Sequence, residues 1–141
     1  MSALLIANAA ATLGLLGLIW VVQLVHYPML AGLRGPDFTR WHRFHASRIS
    51  VLVVPLMGVE AVTAVLLVLA PPPEVPLAAA GVGLALVIGH VASTAFLQVP
   101  LHHRLSTSFD AEAVRRLVAT NWIRTGIWTA RAALVLALLV G

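Results

Sequence analysis

The chain has 141 residues, of which 60% are hydrophobic and only 10% are charged, and it contains no cysteine. Because soluble domains carry roughly 25% charged residues, this composition predicts an integral membrane protein. The absence of cysteine excludes disulfides, thiolate metal sites and thiol nucleophiles. All nine basic residues are arginine and the net charge is +4, but their position beside apolar stretches indicates membrane topology rather than nucleic-acid binding.

Four apolar stretches predict an all-α membrane four-helix bundle, a single domain covering residues 1–141. Each span needs about 20 apolar residues, and the chain is long enough for four. The first stretch covers roughly residues 3–25 and ends near Pro28. The second follows Pro36, a residue suited to the first turn of a helix, and runs to about residue 70.

Three consecutive prolines at 71–73 separate the two halves of the chain. The third stretch covers about residues 77–99 and the fourth about residues 121–140. Between them, we expect an amphipathic helix over residues 111–120 that is capped by Asp110 or Ser108. Four crossings return the chain to its starting side, so both termini are predicted to lie at the same membrane face.

The arginines are distributed very unevenly between the two predicted membrane faces. The face with the termini and the proline connection carries no basic residue and one acid, Glu74. The positive-inside rule therefore places the arginine-rich face in the cytoplasm and both termini outside it, and we expect the cytoplasmic (inner) membrane of a bacterium. The arginines at that face are Arg34, Arg40, Arg43, Arg48, Arg104, Arg115, Arg116 and Arg124.

Five of the six histidines fall at this same face, although they come from three different helices. Neutral imidazole is a common ligand of copper, iron and zinc, and helix bundles build metal sites from inward-facing histidines. The sequence therefore predicts a transition-metal site of unknown identity, with haem ligated by two of the histidines as an alternative cofactor. The alternative is that each histidine, like Tyr27, only anchors its helix at the membrane interface. The five are His26, His42, His45, His102 and His103.

A second group of ionisable residues is predicted deeper in the membrane. Glu60, His90 and Arg131 each lie about ten residues inside their helices, which at about 1.5 Å per residue places them near the bilayer midplane. Ionisable residues inside membranes usually face the bundle and pair with one another. We expect Glu60 to pair with Arg131, with His90 nearby, either as a catalytic proton relay or as a structural clasp.

The fourth helix carries its polar residues on one face. Asn121, Arg124, Trp128 and Arg131 recur at helical spacing, so this face is predicted to look inward. Asn121 and Arg124 are candidate catalytic residues that would position a substrate or an oxygen-derived anion through charge-assisted hydrogen bonds. Trp128 is a candidate cofactor contact, with packing inside the bundle as the alternative.

The last third of the chain resembles the anthrone-oxygenase-like group of small four-span membrane proteins. That group has a proline-led polar pair closing its third span, here Pro100, His102 and Leu105, and an Asn-x-x-Arg-Thr motif opening its fourth, here residues 121–125. The chain departs from the group because it has histidines where the group often has asparagines, and because it contains the element Trp41-His42-x-x-His45. The resemblance implies oxidation of a small, apolar, aromatic substrate that enters from the lipid.

Taken together, the sequence predicts a membrane-embedded, metal-binding oxidoreductase or oxygenase that acts on a lipid-soluble small molecule at the histidine cluster. Besides the haem-binding electron-transfer protein, two alternatives stay open. One is a small proton-coupled transporter or channel that uses the Glu60, His90 and Arg131 group as its pathway. The other is a structural subunit of a larger complex. The expected partners are the lipid bilayer and the small molecule, without nucleic acid, and homo-oligomers are plausible because four spans enclose little volume.

Overall fold

The polypeptide forms four long helices joined by short connections. The computed structural model describes the backbone of the whole chain and every side chain outside residues 35 and 36. The helices are α1 (Ala3–Gly32), α2 (Gly35–Leu69), α3 (Leu77–Leu105) and α4 (Ala111–Val140). All described secondary structure is helical, which confirms the predicted all-α class. The role predicted for Pro36 concerns a side chain outside this description.

All four helices are long and apolar enough to cross a membrane. Helices α1, α3 and α4 contain 30, 29 and 30 residues, so at about 1.5 Å per residue each is roughly 45 Å long. The hydrocarbon core of a bilayer is only about 30 Å thick. The helix ends therefore extend beyond it, and the chain has the dimensions of an integral membrane protein.

The distribution of side chains is that of a protein whose outside faces lipid. Large apolar residues on all four helices are more than half exposed, including Leu24, Val62, Ile88 and Val140. The polar side chains of Glu60 and His90 are completely buried in the interior. Water would disfavour this arrangement, whereas lipid has no groups that could satisfy exposed polar side chains.

The helices run up and down, and each one contacts its two neighbours around the bundle. Helix α1 packs against α2 and α4, and α3 packs against the same two helices from the other side. The N-terminus and the proline connection meet at one end, where the Ser2 backbone N–H donates to Glu74 Oε1 (2.5 Å). Leu5, Val75 and Leu138 pack together at that end, so both termini lie there and the connections rich in arginine lie at the other.

Two helices widen into a π-helical turn just before a proline at the arginine-rich end. The turn in α1 covers Val22–His26 and precedes Pro28, and the turn in α3 covers Thr94–Gln98 and precedes Pro100. Proline lacks an N–H and clashes with the preceding turn, which accounts for the local widening. Such π-bulges redirect side chains and are frequent at functional sites. Gln23 and Gln98 are turned inward here and are almost fully buried.

Helix α4 is one continuous helix, not a short amphipathic helix followed by a separate span. Asp110 caps it by accepting from the Ala113 backbone N–H (3.0 Å). This hydrogen bond, together with the nearby Arg104 guanidinium, holds the pKa of the Asp110 carboxyl below its usual value. The predicted cap is thus Asp110 rather than Ser108, and the polar residues of the first turns continue directly into the buried face of the span.

Candidate functional site

A fully buried carboxylate organises the middle of the bundle. Glu60 Oε1 accepts from Thr12 Oγ1 (2.7 Å) and from Arg131 Nε (2.6 Å). Glu60 Oε2 accepts from Trp128 Nε1 (3.1 Å) and lies 2.9 Å from His90 Nε2. All four helices therefore contribute to one group, which we call the midplane clasp: Thr12, Glu60, His90, Trp128 and Arg131.

The guanidinium of Arg131 is satisfied on all three nitrogens. Besides Glu60, it donates from Nη1 to the Gly83 carbonyl (2.5 Å) and from Nη2 to Asn8 Oδ1 (3.0 Å). Asn8 in turn donates to Thr63 Oγ1 (2.8 Å). A buried ion pair is tolerated only when its remaining donors and acceptors are also satisfied, and this condition is met here.

The predicted pairing of Glu60 with Arg131 and His90 is therefore present. Glu60 and Arg131 have the partners just described, whereas His90 Nδ1 has none among the described residues, and none of the three side chains lines either of the two cavities described below. Direct catalysis by them stays an untested prediction, and their contacts are those of a clasp that holds the helices in register.

A chain of hydrogen bonds joins two histidines and a tyrosine near the arginine-rich end. His42 Nε2 lies 2.9 Å from His102 Nδ1, and Tyr27 Oη lies 3.2 Å from His102 Nε2. Ser106 Oγ lies 3.5 Å from His42 Nδ1 and donates to the His102 carbonyl (2.8 Å). We call these four residues the histidine–tyrosine chain. It connects α1, α2 and α3 with the connection that follows α3.

One arrangement of protons satisfies every group in this chain. Because Ser106 Oγ already donates to a carbonyl, it is best placed to accept from His42 Nδ1. His42 Nε2 then accepts from His102 Nδ1, and His102 Nε2 accepts from the Tyr27 hydroxyl. Neutral imidazole has one donor and one acceptor nitrogen, so both rings are neutral in this assignment, which follows from the hydrogen-bond network.

Of the other predicted ligands in the histidine cluster, only His26 and His45 lie close to each other. The rings of His26 and His45 meet edge to face with centroids 5.0 Å apart, and Tyr27 lies 6.2 Å from His45. His103 is exposed but also lines the cavity described below, so of the two adjacent histidines only His102 joins the histidine–tyrosine chain.

Among the described residues, no three His, Asp or Glu side chains are placed to hold one ion. Both nitrogens of His102 have hydrogen-bond partners, one of them His42. The predictions of a transition metal and of haem therefore gain no support from the geometry and stay predictions.

A cavity of about 390 Å³ lies between the histidine–tyrosine chain and the midplane clasp. We call it the central cavity. Its walls are mostly aliphatic, from residues such as Leu15, Val53 and Met57, and its size is within the range of small-molecule sites. The polar residues that line it include Tyr27, His45, Gln98, His102 and Arg124.

The floor of the central cavity is built by Trp128 and Arg124. The centroids of the Trp128 and His90 rings are 4.5 Å apart. The Arg124 guanidinium lies over the Trp128 ring, 5.1 Å from its centre. Arg124 Nη1 makes a long hydrogen bond to Asn121 Oδ1 (3.4 Å), and Asn121 Nδ2 donates to Gln23 Oε1 (2.8 Å). The predicted inward face of α4 is confirmed, since Asn121, Arg124, Trp128 and Arg131 are all buried.

A second, more open cavity of about 550 Å³ faces the outside between α1 and α2. We call it the lateral groove. It is lined by apolar and aromatic side chains, including Met29, Trp41 and Phe44. His45 and Ile49 line both the lateral groove and the central cavity, so these two residues form the boundary between them.

Several residues of these sites were missed or assigned another role from the sequence. Tyr27 was expected to be an interface anchor, and Gln98 and Ser106 were not singled out. Thr12 of the midplane clasp and the adjoining Asn8 were also missed, although their spacing of four residues on an apolar helix is a usable signal. Gln98 could have been noticed as a polar residue inside an apolar stretch two positions before a proline.

No protein-family model, curated protein or solved structure matches this chain. The function is therefore inferred from the side chains themselves.

Proposed function

We propose that the protein is a membrane-embedded oxidoreductase that acts on a lipid-soluble small molecule bound in the central cavity. The observation that carries this proposal is that Tyr27 and His102 line the cavity and belong to a continuous chain of hydrogen bonds. An apolar cavity with a few convergent polar groups is the usual form of a small-molecule site. The resemblance to the anthrone-oxygenase-like group adds the reaction type, oxidation of a small aromatic molecule with dioxygen as the acceptor.

The lateral groove supports access from the lipid. Its walls are apolar, it faces the outside of α1 and α2, and it shares His45 and Ile49 with the central cavity. A substrate dissolved in the bilayer would pass along this groove and displace these two side chains. Neither residue is fully buried, so such a displacement breaks few contacts.

The histidine–tyrosine chain would accept a proton from the substrate. A hydroxyl or acidic C–H of the substrate gives its proton to the Tyr27 oxygen while Tyr27 passes its own proton to His102 Nε2. His102 Nδ1 then passes a proton to His42 Nε2, so the positive charge ends beside Ser106 at the arginine-rich end. The deprotonated substrate is more electron-rich, and for a hydroquinone it would pass two electrons to dioxygen. Dioxygen would take up the proton held by His42 and the second proton of the substrate, so that the products are a quinone and hydrogen peroxide.

The midplane clasp would position the floor of the site. Trp128 donates to Glu60, and the Trp128 ring supports the Arg124 guanidinium. Glu60, His90 and Arg131 would then act through Trp128, as positioning residues without direct contact to the substrate.

We also propose that the arginine-rich end faces the cytoplasm and that the protein resides in a bacterial inner membrane. The support is the distribution of arginines between the two ends of the bundle.

The test compares two adjacent histidines. The protein is placed in lipid nanodiscs, and dioxygen uptake is measured with a panel of apolar phenols and hydroquinones. Positioned acid–base groups contribute about 10²- to 10⁴-fold to rates, so His102→Gln is expected to lower the rate at least a hundredfold. The control His103→Gln changes the adjacent histidine, which also touches the cavity but is exposed and lies outside the histidine–tyrosine chain, and it is expected to keep the rate within about twofold.

Two results would contradict the proposal. One is a wild-type rate equal to that of empty nanodiscs across the whole panel. The other is an equal loss in both histidine variants, which would show that the hydrogen bonds of His102 to Tyr27 and His42 have no special part in the reaction.

A further inference from the structure

Arg124 is a buried cation without a counter-ion among the described side chains. It is 7% exposed, and within the described part of the chain it makes no ion pair with a carboxylate. Its Nε has no hydrogen-bond partner among these residues, and its one side-chain hydrogen bond is the long contact to Asn121. A buried charge is normally paired, so this one differs sharply from the fully satisfied Arg131.

The surroundings of Arg124 do not supply the missing negative charge. The ionisable side chains that share the central cavity with it are Tyr27, His45, His102 and His103, of which none carries a negative charge at neutral pH. No Asp or Glu is present among the described residues that line the cavity. Among the described residues, the face of the Trp128 ring is therefore the electron-rich neighbour of Arg124, and no carboxylate balances its charge.

We infer that Arg124 binds an oxyanion on the ligand of the central cavity, either a carboxylate or an ionised phenol. The inference deepens the proposed function and rests on it, because it assumes that the same cavity holds the small molecule. The guanidinium favours oxygen anions because it offers several N–H donors in one plane. The remaining walls are apolar, so the rest of the ligand is a hydrophobic body.

The neighbouring amide refines this description. Gln98 is 1% exposed, lines the same cavity, and has an Oε1 without a hydrogen-bond partner among the described side chains. Its Nε2 is fixed by donation to Thr120 Oγ1 (2.9 Å), so Oε1 is held as an acceptor. A ligand with a hydroxyl beside its anionic oxygen would satisfy both Gln98 and Arg124.

The experiment measures binding of four probes to the protein in nanodiscs by titration calorimetry, with empty nanodiscs subtracted. Two probes are anionic at pH 8, dodecanoate and an ionised nitronaphthol. Two are their neutral counterparts, dodecanol and the nitronaphthyl methyl ether. The variants are Arg124→Met, which removes the charge, Arg124→Lys, which keeps it, and the control Arg116→Met on the exposed face of the same helix.

Arg124→Met is expected to weaken binding of at least one anionic probe by about tenfold to a hundredfold, the effect of one charge-assisted hydrogen bond. Neutral probes are expected to bind equally to all variants. Arg124→Lys is expected to keep part of the affinity for the anionic probes, and Arg116→Met is expected to bind them as the wild type does. Comparing the affinity for dodecanoate with the affinity for the ionised nitronaphthol shows whether the site prefers a carboxylate or an ionised phenol.

Stability separates a binding role from a structural one. Removing an unpaired buried charge relieves a desolvation cost, so Arg124→Met without ligand is expected to unfold no more easily than the wild type. The inference is overturned if the wild type binds the neutral probes as tightly as the anionic ones, or if Arg124→Met loses no affinity for either anion. If oxidation depends on His102 but the protein does not prefer anionic probes, the proposed function stands and this inference fails. If the protein prefers anionic probes but oxidises none of the panel, the inference stands and the proposed function fails.

Discussion

The replacement of Glu60 by glutamine tests whether the midplane clasp holds the bundle together. Glutamine keeps the shape of the side chain but has one acceptor oxygen, so the Trp128 indole N–H and Arg131 cannot both keep their present acceptors. Arg131 would also lose its counter-ion while remaining buried. Breaking a buried pair costs about 3–5 kcal/mol, whereas single interhelical hydrogen bonds in membranes average about 0.6 kcal/mol. We expect Glu60→Gln to lower the free energy of unfolding by about 3 kcal/mol.

The assay is reversible unfolding in mixed micelles of a mild detergent and dodecyl sulfate, followed by circular dichroism. Glu74→Gln is the matched control because it makes the same chemical change at an exposed carboxylate, and we expect it to have little effect. A double variant, Glu60→Gln with Arg131→Met, removes both charges and should recover part of the loss. If Glu60→Gln and Glu74→Gln unfold alike, the clasp does not stabilise the fold and this reasoning is wrong.

Two further predictions use pairs of residues that differ in one property. A Cβ at Gly83 would lie 3.1 Å from Arg131 Nη1, whereas Gly81 has open space. Because Ala favours a helix over Gly by about 1 kcal/mol, Gly81→Ala should stabilise the protein, and Gly83→Ala should be less stable than Gly81→Ala in the same unfolding assay. The chain lacks cysteine, so single cysteines can report sidedness in cells. Ser108→Cys should resist an impermeant maleimide and Pro73→Cys should react, and the reverse result would invert the proposed topology.

The sequence was most informative about elements and depth. The four apolar stretches, the shared face of Asn121, Arg124 and Trp128, and the depth of Glu60 and Arg131 follow from helical geometry and from the cost of burying charge in lipid. Helix ends were less well predicted, since α4 begins at Ala111 as one continuous helix. A polar amphipathic segment and an apolar span can belong to one helix, and amino-acid composition alone does not show whether a helix continues from one to the other.

What the histidines do was decided only by the tertiary structure. The sequence placed five of them at one depth, but depth leaves the rotation of each helix and the direction of each ring open. The π-helical turns before Pro28 and Pro100 change that rotation, and the result is a hydrogen-bonded chain through Tyr27 and His102. The same holds for Arg124, whose lack of a carboxylate partner among the described residues becomes visible only when its neighbours are in place.

The sequence by itself determined that this is a four-helix membrane protein with polar groups in two layers, because hydrophobicity and spacing are local properties of the chain. The cavity between the layers depends on how α1 to α4 pack side by side. That packing is set by contacts such as Thr12 with Glu60 and Tyr27 with His102, which are far apart in the chain. Only the folded bundle therefore shows which polar side chains hydrogen-bond to one another and which line the central cavity.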